Sequence, residues 1–177
     1  MNAEITTITP EPCKGACDRS EPCSNFYKRI YMFRLITPTT DAELKAYYHF
    51  RWQVLREPWR QPEGSERDAY DDMSQHRMIL DGRDQPIAVG RLYLTPDNDG
   101  QIRFMAVAAH YQGKGIGALI LVALESYARQ ESAKRLVCNA REDAIPFYVR
   151  NGFISQGELS DERGPIRHQQ MLKHLDP

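Results

Sequence analysis

The chain has 177 residues, of which 41% are hydrophobic and 27% charged, and its formal net charge is −1. That length suits one globular domain with its own core. A near-neutral balance supplies no general attraction to nucleic acid or to a membrane surface, and no apolar run approaches the roughly 18 residues of a membrane span. The opening segment carries Glu4 and Glu11 where a secretory signal needs an apolar stretch, so a cytoplasmic location is expected.

Residues 1–31 are rich in Thr, Pro, Glu and Ser without a sustained period, and are expected to form a disordered extension. Dense patterning begins at Met32, itself a candidate start, so the domain is expected to span 32–177. Cys13, Cys17 and Cys23 follow a C-x₃-C-x₅-C spacing with no adjacent fourth ligand. That falls short of a zinc site, and no metal is expected. Cys138 stands in an apolar stretch and reads as a small core residue.

Phe33–Ile36 reads as a strand closed by Thr37-Pro38, and Thr40 to Glu43 form a capping box that opens a helix. Leu44, Tyr47, Tyr48, Val54 and Leu55 recur on one helical face. Arg51 falls on that stripe and reads as a paired or snorkelling arginine rather than a ligand-binding cation. Glu57–Asp72, with Pro58, Pro62 and Gly64, reads as a loop bordering a functional site. Arg77–Asp81, Pro86–Leu94 and Ile102–Val107 read as strands joined by the turns at Asp81-Gly82 and Asp97–Gly100, an antiparallel meander. A helix is expected over Gly113–Gln130, a strand over Arg135–Cys138 and a short helix over Ala144–Arg150, stopped by Asn151-Gly152. Phe153–Leu159 and His168–Leu172 complete the pattern. The expected class is α/β (α+β), with a mixed, mostly antiparallel sheet of about seven strands flanked by helices.

Chemistry concentrates in Gln112-Gly113-Lys114-Gly115-Ile116-Gly117-Ala118, directly after the strand ending at Val107. Each glycine inside a helix costs about 1 kcal/mol against alanine, so three in five residues at a helix start need a reason. Glycine lets another group approach the backbone closely, and a helix N-terminus presents unpaired N–H groups with partial positive charge. Together these make a phosphate cradle. The Walker A pattern is absent. The dinucleotide fingerprint G-x-G-x-x-A does match at Gly113, Gly115 and Ala118, but no carboxylate follows the next strand, and an antiparallel meander contradicts a parallel doubly wound sheet.

Gln112-x-x-Gly115-x-Gly117 resembles the pyrophosphate signature [QR]-x-x-G-x-[GA] of the Gcn5-related N-acetyltransferases (GNAT). A second family-like element follows as Asn139…Ala144…Phe147-Tyr148…Asn151-Gly152-Phe153. The resemblance covers 32–177. More narrowly, Phe50-Arg51-Trp52…Leu55-Arg56…Pro62-x-Gly64-Ser65-Glu66 with Arg103–Val107 resembles the acetyltransferase half of a bacterial protein that also carries a hotdog, thioesterase-like domain. That second half would lie beyond Pro177.

The resemblance implies an acyl-CoA N-acyltransferase that moves acetyl from acetyl-CoA to a small-molecule or protein amine. It leaves room for a homodimer, and nucleic acid and membrane are not expected partners. Met105, Ala106 and Val107 would hold the pantetheine arm through their main chain. The amides of Gly113, Lys114, Gly115, Ile116, Gly117 and Ala118, with Gln112, would hold the pyrophosphate. Asn139, Ala144 and Phe147 would complete the cofactor contacts. Tyr148 matches the family's general-acid tyrosine, and a phenol of pKa about 10 stays protonated at neutral pH. For a general base the acidic loop offers Glu57, Glu63, Glu66 and Asp68, and a late strand offers His168; Glu66 is the expectation. A binding-only regulatory module serving a thioesterase-like partner is the alternative.

Overall fold

The computed structural model describes residues 33–160 and 167–175. The expectations for the N-terminal extension and its three cysteines fall outside that span. Its strands are β1 (Arg34–Ile36), β2 (Gln75–Leu80), β3 (Pro86–Leu94), β4 (Gly100–Val107), β5 (Arg135–Arg141), β6 (Ile154–Ser160) and β7 (His168–His174). The helices are α1 (Asp41–Leu55), α2 (Ile116–Gln130) and α3 (Ile145–Arg150). The strands form one sheet in the order β1-β2-β3-β4-β5-β7-β6. β4 and β5 run parallel and the other described pairs run antiparallel. The expected class and strand number hold.

Local chemistry sets the helices. Thr40 Oγ1 accepts from the Glu43 amide at 3.2 Å, and the Glu43 carboxylate accepts from the Thr40 amide at 3.0 Å. This reciprocal cap satisfies two donors at the start of α1. On α2, Ile116, Ile120, Leu121, Leu124 and Ala128 are buried, and they pack in one core with Ala88, Leu92, Ile102 and Leu136 of the sheet. On the opposite face α1 lays Tyr47 and Phe50 over Met78, Leu80, Val89 and Ala106.

The approach of α2 to the sheet is set by Gly90 of β3. A Cβ there would meet Ile120 Cγ2 at 2.6 Å and Leu124 Cδ1 at 3.1 Å. Gly90→Val therefore overpacks a filled interface, and denaturant titration should show a loss of about 1–3 kcal/mol. An unchanged midpoint would mean that α2 slides freely over β3.

Several boundaries differ from the sequence reading, and three of them bear on the site. α2 starts at Ile116, not Gly113, because Gly113 and Gly115 have φ of +73° and +80° and belong to the turn before it. α3 starts at Ile145, after a tight helical turn over Glu142–Ala144. β5 continues past Cys138 to Arg141 because β7 pairs with it along its full length, Asn139 opposite Gln170 and Arg141 opposite His168. Asn139 is thus a strand-interior residue rather than a strand-end turn.

Two irregularities open the sheet at its centre. β3 pairs Arg91 with Arg103 and Val89 with Ala106, so β4 carries one extra residue between those pairs, a β-bulge. Phe104 in the bulge has φ +54°. Paired residues of β4 and β5 end at Ile102 and Cys138; beyond them the two strands are not registered with each other, while β4 stays paired with β3 and β5 with β7.

Candidate active site

A cleft of about 620 Å³ opens beyond the last β4–β5 pair. One wall is Met105, Ala106 and Val107 at the end of β4. A second is the turn into α2, through Gln112, Gly113, Gly115, Gly117 and Ala118, and a third is Ala144, Phe147 and Tyr148 around α3. Eleven of the residues singled out from the sequence thus share one cavity, although they come from three separate stretches of chain.

The turn is built to present backbone. Gly115 caps α2 in the left-handed region with no side chain closing the helix end. The first amides of α2 thereby keep their capacity for an anion. Gln112 donates from Nε2 to the Val107 carbonyl at 3.0 Å and ties the turn to the end of β4. At Gly117 a Cβ would lie 3.3 Å from Phe147 Cε2 and 3.5 Å from Val107 Cγ2, so a side chain there would crowd the cleft wall.

Other expected residues do not line the cleft. Lys114 is exposed, with its ammonium 5.6 Å from the Tyr111 ring centroid. The Ile116 side chain is buried in the core under α2. Asn139 lies on β5 outside the cleft lining. Glu66 is also outside it and is only 3% exposed. Its carboxylate accepts from the Gly64 amide at 2.7 Å, and its carbonyl accepts from Arg51. Glu66, the expected base, therefore pins its own loop and lies outside the cleft lining. Glu57, Glu63, Asp68 and His168 are likewise absent from the lining, whose carboxylate among the described residues is Asp143, paired with Arg141 at 3.1 Å.

Tyr148 is 7% exposed. Its ring packs edge-on against Phe147 and Phe153, with centroids 5.0 and 5.3 Å away. Burial, with the neighbouring Cys138 thiol adding to it, holds the phenol pKa well above its ordinary value. Burial likewise pushes the Cys138 thiol up to about 12, while its hydrogen bond with Tyr148 opposes the rise. Both groups keep their protons across the neutral range, and a proton donor is what this corner of the cleft can supply.

A buried ion network was not anticipated beyond Arg51. Arg51 and Arg91 are both fully buried. Arg51 donates to Asp71 at 2.8 and 3.0 Å. Arg91 reaches Asp71 at 3.0 Å and also binds Asp68, which in turn accepts from Arg103 at 3.2 Å. Burial alone would raise the Asp71 carboxyl, but its hydrogen bonds and proximity to Arg51 hold it below the usual range. Burial likewise works to raise Asp68, and its bonds to Arg91 and the Tyr70 amide bring it down. Arg51 is thus the paired arginine its position on the α1 stripe suggested. Its partners, Asp71 and the Glu66 carbonyl, come from the loop after α1, and Arg91 of β3 shares Asp71 with it, links that no local pattern makes.

A model described as the Acetyltransferase (GNAT) family matches residues 44–153. The Bacillus subtilis (strain 168) uncharacterized N-acetyltransferase YjcF is 28% identical over 142 residues, which cover 79% of this chain and 99% of that one. A crystal structure of an N-acetyltransferase candidate from Lactobacillus plantarum superposes with a TM-score of 0.72 at 25% identity, over 81% of this chain and 98% of that one. An aminoglycoside 6'-N-acetyltransferase complexed with coenzyme A shares the fold, with a TM-score of 0.68 at 11% identity over 82% of this chain and 97% of its own.

Proposed function

The chain belongs to the Acetyltransferase (GNAT) family of acetyl-CoA-dependent transferases, and from that premise we propose that it transfers an acetyl group from acetyl-CoA to the amine of a small molecule or protein within the β4–β5 cleft. The observation that carries this reading is the convergence of a side-chain-free helix N-terminus, a strand end unpaired on its β5 side and a buried protonated phenol on one cavity.

The diphosphate rests on the amides from Gly113 to Ala118, where the helix dipole favours negative charge. The pantetheine arm runs along Met105–Val107, whose main chain lacks a registered strand partner on the β5 side. The neutral amine attacks the thioester carbonyl and a β4 amide receives the developing oxyanion. The C–S bond then breaks, Tyr148 protonates the departing thiolate, and the amine's surplus proton passes through water to restore the Tyr148 phenol. Products are the N-acetyl amine and coenzyme A. A phenol in the cleft wall favours catalysis over a binding-only module, which needs no acid. The narrower likeness to half of a two-domain acetyltransferase/thioesterase-like protein supplies the second reading, in which the domain loads or senses acyl-CoA for such a partner.

Purified protein should release free thiol from acetyl-CoA when supplied with a panel of amines. Coenzyme A binding without thiol release from any amine would establish the binding-only module. Among the described residues no carboxylate of the 57–73 loop lines the cleft, so the acceptor amine, of pKa about 10.4 if lysine-like, governs the pH profile. The expected kcat/KM climbs with pH towards the acceptor's own pKa, and Glu66→Gln leaves the profile in place. A profile displaced by Glu66→Gln would restore Glu66 as base.

A further inference from the structure

We infer that the Arg51–Asp71–Arg91–Asp68–Arg103 ladder is a positioning device that sets the β4 bulge, so that the 57–73 loop and the thioester-binding strand act as one unit; this rests on the acyl-transfer reading above.

The ladder alternates in sign across four parts of the chain: Arg51 on α1, Asp71 and Asp68 in the loop, Arg91 on β3 and Arg103 on β4. Arg91 and Arg103 are directly opposed across the strands, an arrangement that like charges disfavour. Asp68 bonds to both and removes the conflict. Asp71 does the same for Arg51 and Arg91. Asp68 also accepts from the Tyr70 amide at 3.0 Å and Asp71 from the Asp68 amide at 2.8 Å, but neither of these local bonds needs a charge, since an asparagine oxygen accepts as well. Asp71 is 2% exposed, and buried ion pairs are often replaceable by apolar groups without loss of stability. Their presence is better explained by what they orient.

That object is Phe104. It holds φ +54°, a region L side chains seldom adopt. The Arg51 guanidinium carbon lies 3.6 Å from its ring centroid and that of Arg91 4.9 Å away. The two fully buried cations of the ladder thus lie nearest the ring of the residue in the bulge, and Arg103 follows at 5.2 Å. The next residues along, Met105, Ala106 and Val107, form the cleft wall. A ring held at this angle fixes the main chain that follows it, and with it the aim of the amides offered to the thioester carbonyl. Arg91 and Asp71 act through Phe104 and touch no substrate.

The test uses Arg91→Lys, which keeps the charge but loses the planar fork, and Asp68→Asn at the partly exposed end, which breaks the ladder where misfolding is least expected. Three readouts apply: ¹⁵N amide shifts of Met105 and Ala106, the carbonyl stretch of bound acetyl-CoA labelled with ¹³C at the carbonyl, and kcat against coenzyme A affinity. Expected are moved amide shifts, a carbonyl frequency returned towards its solution value, kcat down at least tenfold and affinity within about threefold. Adding Phe104→Gly, which tolerates the left-handed backbone unaided, should recover the amide shifts and part of kcat. Unmoved Met105 and Ala106 shifts in both variants, or kcat and affinity falling together with the carbonyl frequency unchanged, would overturn the inference. Wild-type protein that fails to bind acetyl-CoA overturns the acyl-transfer reading instead, and the amide shifts still decide whether the ladder sets the bulge.

Discussion

Tyr148→Phe is expected to lower kcat by about two to four orders of magnitude, the usual range for a lost general acid, with coenzyme A affinity within a few-fold of the parent. The departing thiolate of a simple thiol has a pKa near about 8.5, so expulsion without a proton is slow but feasible, which sets a floor to the defect. Phenylalanine keeps the ring contacts with Phe147 and Phe153 and removes only the hydroxyl and its bond to the Cys138 thiol. A thermal midpoint close to the parent's should accompany the loss. An acetyl thioester of a more acidic thiol on the same nucleotide carrier needs less help in leaving, so it should narrow the gap between the two proteins. Equal defects with both donors would make Tyr148 a packing residue. Because burial raises the phenol pKa, the protonated form that donates persists as pH rises through the range where acceptor amines become neutral. Acid and nucleophile are therefore competent together, and no basic limb attributable to Tyr148 should appear before the acceptor is fully deprotonated.

What could be read from the chain without its fold follows the range over which each signal acts. The capping box at Thr40 and the glycine turn at Gly113–Gly117 are local. Their chemistry is complete within a few residues, and both stand where the pattern put them. The seven strands were readable because their period and turns are local as well. The bulge at Phe104 was not, since it exists only as a mismatch between Arg91–Arg103 and Val89–Ala106 across two strands, and neither strand alone records it. Arg51 announced itself by lying on an apolar stripe, but Arg91 sits in an alternating strand where a charge reads as solvent-facing. An outward charge on β3 becomes a buried one because the 57–73 loop folds over it. The same closure explains Glu66. A loop with six carboxylates gives no order of preference among them, and Glu66 is one of two that turn inward, with Asp71. A useful sign would have been the balance of acids and arginines in the loop, Asp68 and Asp71 among them, matched against the unpartnered Arg51 and Arg91 elsewhere in the chain.

Gly115→Val and Gly117→Val should each weaken coenzyme A binding by about 100-fold, which is about 2.8 kcal/mol at 1.4 kcal/mol per tenfold. The two act by different routes. Gly115 has φ +80°, and a Cβ there would meet nothing within 4 Å, so space is not the obstacle. A β-branched residue instead pulls the backbone out of the left-handed region, and the N-terminus of α2 loses the shape that collects its amides on one anion. Gly117 has ordinary φ, but its Cβ would lie 3.3 Å from Phe147 and enter the cleft wall, where it excludes the diphosphate directly. Gly117→Ala should therefore bind better than Gly117→Val, whereas at Gly115 alanine and valine both meet the positive φ and should differ less. S-acetylpantetheine has no diphosphate. Its kcat/KM should be spared in both valine variants if the helix terminus recognises that group, and calorimetry should show the lost coenzyme A affinity in protein that still melts cooperatively. Equal damage to donors with and without the diphosphate would mean that the turn shapes the whole cleft, and coenzyme A affinity unchanged by either valine would remove the anion cradle on which the acyl-transfer reading depends.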